Sequence, residues 1–142
     1  MRLKGKSAII TGGGSGIGLA CTQLFCDAGA EVAIIGRRKD RLESTANEVG
    51  DQVLTIVGDL TKDNDLDRLV SEAINEFGKI DIVVNNSGMF AGSPIHETQD
   101  KDWDTIMDIN MRCVFQLTKR VLPYMMVRKS GTFVHISSIL GL

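Results

Sequence analysis

Short apolar runs alternating with helical stripes predict an α/β domain, a doubly wound parallel sheet of five strands with helices on both faces. Three observations carry this expectation. Five runs are continuously apolar or β-branched, as strands buried on both faces of a parallel sheet are. The stretches between them place apolar residues at helical spacing. The links are short, which leaves right-handed strand–helix–strand crossovers as the natural connection.

The first strand is "SAIIT" (Ser7 to Thr11), and a helix follows with the stripe Ile17, Cys21, Leu24, Phe25 and Ala28, stopped by Gly29. The second strand is "VAIIG" (Val32 to Gly36), with a helix from about Arg41 to Val49. The third is "VLTIV" (Val53 to Val57). Its helix carries Leu66, Leu69, Val70, Ala73, Ile74 and Phe77, with Thr61 as the candidate cap and Gly78 as the stop. The fourth is "IDIVVN" (Ile80 to Asn85). One long helix should follow, striped by Trp103, Met107, Val114, Leu117 and Val121, and bent or ended by Pro123. The fifth is "TFVHIS" (Thr132 to Ser137), with Phe133 to Ile136 reading as buried.

The 142 residues suffice for one domain, taken as 1–142, with no visible linker or low-complexity tract. Hydrophobic residues are 43% and charged residues 24%, with 16 Lys and Arg against 18 Asp and Glu. A balance of −2 with scattered cations argues against a nucleic-acid surface. Cys21, Cys26 and Cys113 show no Cys-x-x-Cys spacing and suit reduced thiols rather than disulfides or a metal site. The apolar run of "MRLKGKSAII" is cut by glycines, so neither a signal peptide nor a membrane span is expected. The expected setting is cytoplasmic.

Between the first strand and its helix lies "TGGGSGIG" (Thr11 to Gly18), five glycines in seven positions. Amides at a helix start, with the helix dipole, form an anion site, and glycines let a diphosphate approach without meeting a Cβ. The spacing is neither G-x-G-x-x-G nor a P-loop, since Leu19 stands where the P-loop lysine belongs. Gly12-x-x-x-Gly16-x-Gly18 remains, on the first strand–helix unit, and points to a dinucleotide. Gly12, Gly14, Ser15, Gly16, Ile17 and Gly18 are its candidate contacts. A tight strand-to-helix turn needs fewer glycines than this.

Thr-Gly-x-x-x-Gly-x-Gly resembles the cofactor loop of the short-chain dehydrogenase/reductase family, in its compact single-domain branch. Further matches follow in order: "GDL" with Asp59, "NNSG" (Asn85 to Gly88), Asn110, and "ISS" with Gly141 beyond it. The resemblance spans essentially the whole chain. It implies a Rossmann-type sheet in the order 3-2-1-4-5, here ending after the fifth strand. Ser87 departs from the family's usual alanine.

In dinucleotide folds the end of the second strand meets the adenosine ribose, where an acid binds a free 2′-hydroxyl and an arginine accommodates a 2′-phosphate. This sequence reads "IIGRRKDR", with Gly36 in place of an acid and Arg37 and Arg38 after it. A guanidinium can hold a phosphate through two hydrogen bonds, so NADP(H) is expected over NAD(H). A solvated basic turn is the bland alternative. Ser15 stands where many NADP-type relatives carry a base. By resemblance, Asp59, with Leu60 beside it, should receive the adenine amino group, and Asn86 and Gly88 should pass the two riboses.

Asn110 falls on the stripe of the long helix, where an unpaired buried amide would be costly. Read alone it is a satisfied core asparagine. The resemblance implies instead that it helps hold a water in a proton relay, and that Ser138 hydrogen-bonds the substrate oxygen. The family's acid/base is a Tyr-x-x-x-Lys pair that follows the serine. Tyr124, the one tyrosine, precedes Ser138 and has Arg128 in the lysine position, so it reads as a surface or interface aromatic.

The resemblance therefore implies an oxidoreductase acting on a small carbonyl/alcohol pair, such as a 3-oxoacyl thioester, a sugar or a ketone, and assembling as a dimer or tetramer. This chain by itself is expected to bind cofactor without turnover. A non-catalytic nucleotide- or partner-binding module is the main alternative. A sugar-nucleotide epimerase of the extended branch fits the glycine spacing less well.

Overall fold

The computed structural model describes residues 1–90 and 92–138. Gly141 and Ala91, the latter within the "GMFAGSP" stretch, lie outside the described residues. The element order is β1 (Ser7–Thr11), α1 (Gly16–Asp27), β2 (Glu31–Gly36), α2 (Lys39–Val49), β3 (Val53–Val57), α3 (Asp63–Phe77) and β4 (Ile82–Asn85). A 3₁₀ turn (Ile95–Glu97), α4 (Asp100–Met107), a turn of π-helix (Asp108–Arg112), α5 (Cys113–Arg128) and β5 (Thr132–His135) complete it. The strands form one parallel sheet in the order β3-β2-β1-β4-β5, as expected.

Alternate side chains of a strand face opposite sides of the sheet, and here both sides are apolar. Ile9, Ala33, Ile35, Ile56 and Val83 face α3 and α5, meeting Leu66, Leu69, Ala73, Leu117, Val121 and Met125. Ala8, Ile10, Val32, Ile34 and Val84 face the other way, toward Cys26 of α1 and Leu42 of α2. That two-sided burial is why the central strands read as unbroken hydrophobic runs. On the outer side of the first layer, Arg120 of α5 pairs with Asp67 of α3 at 2.6 Å.

Several expectations need correction. In α1 the sheet-facing residues are Gly18, Thr22 and Cys26, with Ile17 and Leu24 63% and 65% exposed. Small residues bring this helix close to the sheet, and the larger aliphatics are left on its far side. Thr61 does not cap α3, whose N-cap position is Lys62. Its hydroxyl instead reaches the Asp59 carboxylate at 2.8 Å. The long fourth helix runs without a break from Asp100 to Arg128, but the π turn at Asp108–Arg112 within it inserts an extra residue and shifts the stripe. Trp103 is 54% exposed, and the buried row starts at Cys113 and continues through Leu117, Val121 and Met125. That i, i+4 row carries α5 past Pro123 to Arg128, with the proline on the exposed face where a missing N–H is tolerated.

Strand β5 is not buried. It lies at the sheet edge with β4 as its neighbour, and Val134 and Ile136 are 40% and 44% exposed. At the opposite, amino-terminal end of the strands, the buried Asp81 gathers four elements. Its carboxylate accepts the Ser7 N–H at 3.1 Å and meets Lys79 at 3.1 Å, Lys6 at 3.9 Å and the Arg128 guanidinium. Its own amide donates to Ser7 and its carbonyl receives Thr132, so one residue ties β1, β4, β5 and the end of α5.

Candidate cofactor site

All parallel strands point their carboxyl ends to one edge of the sheet, where the loops after β1, β2, β3 and β4 converge. Gly12 leaves β1 at φ +67, a conformation that suits glycine. A Cβ there would sit 3.0 Å from Ser87 Oγ and 3.1 Å from Asn86 Nδ2. Gly18 is tighter, since its Cβ would fall 2.1 Å from the Gly12 carbonyl oxygen. Gly12, Gly18 and Asn86 thus interlock. Ser15 occupies the N-cap position of α1, where its side chain makes no cap hydrogen bond. The first-turn amides of a twelve-residue helix are therefore left without a side-chain cap, as an anion site requires.

Thr11 joins the first loop to the fourth. Its hydroxyl oxygen accepts the N–H groups of Asn86 and Ser87, each at 2.9 Å, and its carbonyl accepts Asn86 Nδ2 at 3.0 Å. Thr22 stabilises the underside, its hydroxyl donating to the Gly18 carbonyl at 2.9 Å, while a Cβ on Gly13 would fall 2.3 Å from Ile34.

Two adjoining grooves run over these loops. One, of about 450 Å³, is walled by Gly12, Gly14 and Ser15 on one side and by Gly36, Arg37, Arg38 and Arg41 on the other. The second, of about 510 Å³, shares Gly12, Ser15, Gly36 and Arg37 and continues past Asp59, Leu60, Asn86 and Gly88 to Met89. Together they bring Gly12, Gly14, Ser15, Arg37, Arg38, Asp59, Leu60, Asn86 and Gly88 to one cleft. Gly16 opens α1 and Gly18 packs beneath Gly12, so both shape the cleft without lining it. Ile17 is exposed on the first turn of α1.

The carboxylate of Asp59 accepts the Thr61 N–H at 2.9 Å as well as its hydroxyl. Those bonds, with the charges of Arg37 and Lys62, hold its pKa below the usual carboxylate range despite partial burial. Its own N–H is taken by Asp65 at 2.8 Å. Beneath the neighbouring Leu60 carbonyl lies the Cys113 thiol, 3.1 Å away, its pKa pushed up to about 11 chiefly by burial. That sulfur is a neutral donor at physiological pH.

Asn110 sits in the π turn and is half-buried rather than fully buried. Its Oδ1 accepts the Met89 N–H and its Nδ2 donates to the Met89 carbonyl, both at 2.8 Å. The amide is thereby engaged at both ends in holding the loop after β4. Ser138 is exposed three residues past β5 on the same edge of the sheet, where Ile136 N–H still donates to Asn85. Tyr124 is at the other end, in an apolar groove beside Gly78 and Lys79 ahead of β4.

The sequence marks Thr11 as the residue ahead of the glycines, Cys113 as a reduced thiol and Arg41 as the start of the second helix, but not what each of them touches. Thr22 and Met89 carry no signal in the sequence, because their roles depend on packing between segments.

The sequence profile of the family described as short chain dehydrogenase matches residues 6–142. An uncharacterized oxidoreductase of Staphylococcus aureus (strain MRSA252) is 39% identical over 140 residues, covering 98% of this chain and 61% of that protein. The 3-oxoacyl-(acyl-carrier-protein) reductase FabG of Thermotoga maritima is 34% identical over 145 residues, covering 100% of this chain and 59% of that one. Among solved structures, the 3-ketoacyl-(acyl-carrier-protein) reductase from Brucella melitensis complexed with NADH superimposes with a TM-score of 0.91 at 33% identity. That match covers 96% of this chain and 58% of the neighbour, so the chain spans about three-fifths of the length of these relatives.

Proposed function

The chain belongs to the short-chain dehydrogenase family of oxidoreductases, and from that premise we propose that residues 1–142 form one nucleotide-binding domain taking NADP(H) in preference to NAD(H). The whole protein would move hydride between the nicotinamide and a small carbonyl/alcohol pair. The observation that carries this reading is the continuous cleft from the arginines after β2, past the uncapped start of α1, to the Asn110-held loop after β4. A dinucleotide needs a cation or acid for its ribose, bare amides for its diphosphate and a fixed loop at its reactive end, in that order.

The residues present fit such a group. Gly12, Gly14 and Ser15 would face the diphosphate, with Gly16 and Ile17 opening the helix behind them and Gly18 closing the packing. Arg37 and Arg38 would hold the adenosine end, and the ionised Asp59 would accept from the adenine amino group beside Leu60. Asn86 and Gly88 would line the path to the nicotinamide. When bound, the cofactor supplies or accepts the hydride. Ser138 would orient the substrate oxygen by hydrogen bonding, and Asn110 would keep the adjoining loop in place and support a water. The substrate class fits the names of the relatives, among which 3-oxoacyl thioester reductases recur. A cytoplasmic, homo-oligomeric enzyme is the corresponding cellular form.

Turnover by these residues alone is not expected. Tyr124 lies at the opposite end of the sheet from the cleft, and its Arg128 neighbour is bound to Asp81. That placement favours a second reading, in which this chain is a binding module without catalysis. Titration with NADPH and NADH, followed by fluorescence, tests cofactor binding, and a carbonyl-reduction assay separates enzyme from module. Binding without turnover is the expected result, and NADPH should bind more tightly. The NADH held by the Brucella neighbour makes an NADH preference the competing outcome. Absence of binding to either cofactor would end the reading.

A further inference from the structure

We propose that Arg41, on the first turn of α2, is the residue that discriminates NADP(H) from NAD(H), rather than the arginines that directly follow β2. The inference rests on the reading above that a dinucleotide occupies the cleft with its adenosine end toward β2. The three arginines beside that end are not equivalent. Arg37 lines both grooves and its charge acts on Asp59, which sets it at the adenine side. Arg38 lines the smaller groove only, and its guanidinium is paired with Asp40 at 3.5 Å. Arg41 lines the same groove and, among the described residues, enters no ion pair.

The wall that carries Arg41 is fixed. Leu42, next in sequence, is 2% exposed in the core, and the Arg41 carbonyl accepts the Thr45 hydroxyl at 3.0 Å within the helix. Opposite stand Gly14 and the Ser15 hydroxyl, and among the described residues no carboxylate lines this groove. A phosphate monoester between these walls gains a planar, permanently charged fork held by secondary structure. A ribose hydroxyl at the same place gains far less from a cation. The sequence alone pointed at Arg37 and Arg38 because they are next to the strand end, whereas helical geometry returns Arg41 to the same groove.

Calorimetric titration of the chain with NADPH, NADH, 2′,5′-ADP and AMP tests this, using wild type, Arg41→Gln, Arg41→Lys and a Lys39→Gln control. Lys39 is exposed and outside the groove, so the control removes the same charge without the contact. Arg41→Gln should weaken NADPH and 2′,5′-ADP about tenfold or more, as expected for losing a charge-assisted pair, and leave NADH and AMP within about twofold. Arg41→Lys should recover part of the loss, and Lys39→Gln should stay within about twofold throughout. Arg41→Gln with an unchanged NADPH-to-NADH ratio, by no effect or by equal loss of both, overturns the Arg41 assignment while the cofactor reading stands. A wild-type chain that prefers NADH, or binds neither, overturns both together. Arg41 is exposed, so the variant should fold, and circular dichroism checks it.

Discussion

Gly18 lies so close under Gly12 that a Cβ on it would sit 2.1 Å from the Gly12 carbonyl oxygen and 2.6 Å from Asn86 Nδ2. The contact joins the start of α1 to the end of β1 and to the loop after β4. Gly18→Ala should therefore force backbone apart, with a cost of roughly 1–3 kcal/mol typical of overpacking. Thermal melting should fall by several degrees, on the order of 3 °C per kcal/mol for a chain of this size. Cofactor affinity should fall as well. Gly14→Ala makes the control, since its nearest neighbour would be Thr45 Oγ1 at an ordinary 3.6 Å, and its melting temperature should hold.

Asn110 and Met89 exchange two hydrogen bonds of 2.8 Å across the mouth of the cleft. Asn110→Leu removes both partners from the Met89 backbone and should cost about 1–3 kcal/mol locally. The readout is hydrogen exchange at the Met89 amide, which should accelerate at least about tenfold. Asn110→Asp keeps the acceptor for the Met89 N–H and should protect that amide better than Leu does. Equal exchange in wild type and Asn110→Leu would show that the loop holds itself.

Asp81 supplies the pH dependence. Burial alone would raise its pKa, but the Ser7 N–H, the Lys79 hydrogen bond and the charges of Lys79 and Lys6 outweigh it and hold the value low. A carboxyl with a folded pKa below its unfolded value of about 3.9 stabilises the fold fully above that value. The contribution is lost as pH falls through the depressed folded value. Urea unfolding should show wild type losing stability from about pH 4 downward, with Asp81→Asn flatter over that range. At neutral pH the variant should lose roughly 1–3 kcal/mol, below the figure for a fully buried pair because Lys79 and Arg128 remain partly solvated. Parallel pH curves would remove Asp81 from this role.

Much of the architecture was legible in the sequence, because the central strands had to be apolar on both sides. A sheet covered by helices on both faces buries Ile9 and Ile10 at once, and the glycines after Thr11 marked where the first crossover leaves the carboxyl edge of the sheet. Gly29 and Gly78 stopped their helices where expected, as positive φ at +93 and +74 requires. These signals are local. Propensity, period and punctuation act within a few residues, and a sequence displays them directly.

What the sequence could not decide were the contacts between segments. It marked Ile17 and Leu24 as core-facing, yet the sheet is met by Gly18, Thr22 and Cys26, because close approach favours small side chains over apolar ones. It placed Asn110 on a buried stripe, and one extra residue in a π turn aimed the amide at Met89 instead. Neither Thr11 reaching across to Asn86 nor Asp81 gathering Lys6, Lys79 and Arg128 leaves a mark in composition or period. Local chemistry chose the elements and their order, and only packing in three dimensions, through sterics and burial of polar groups, chose which side chains meet.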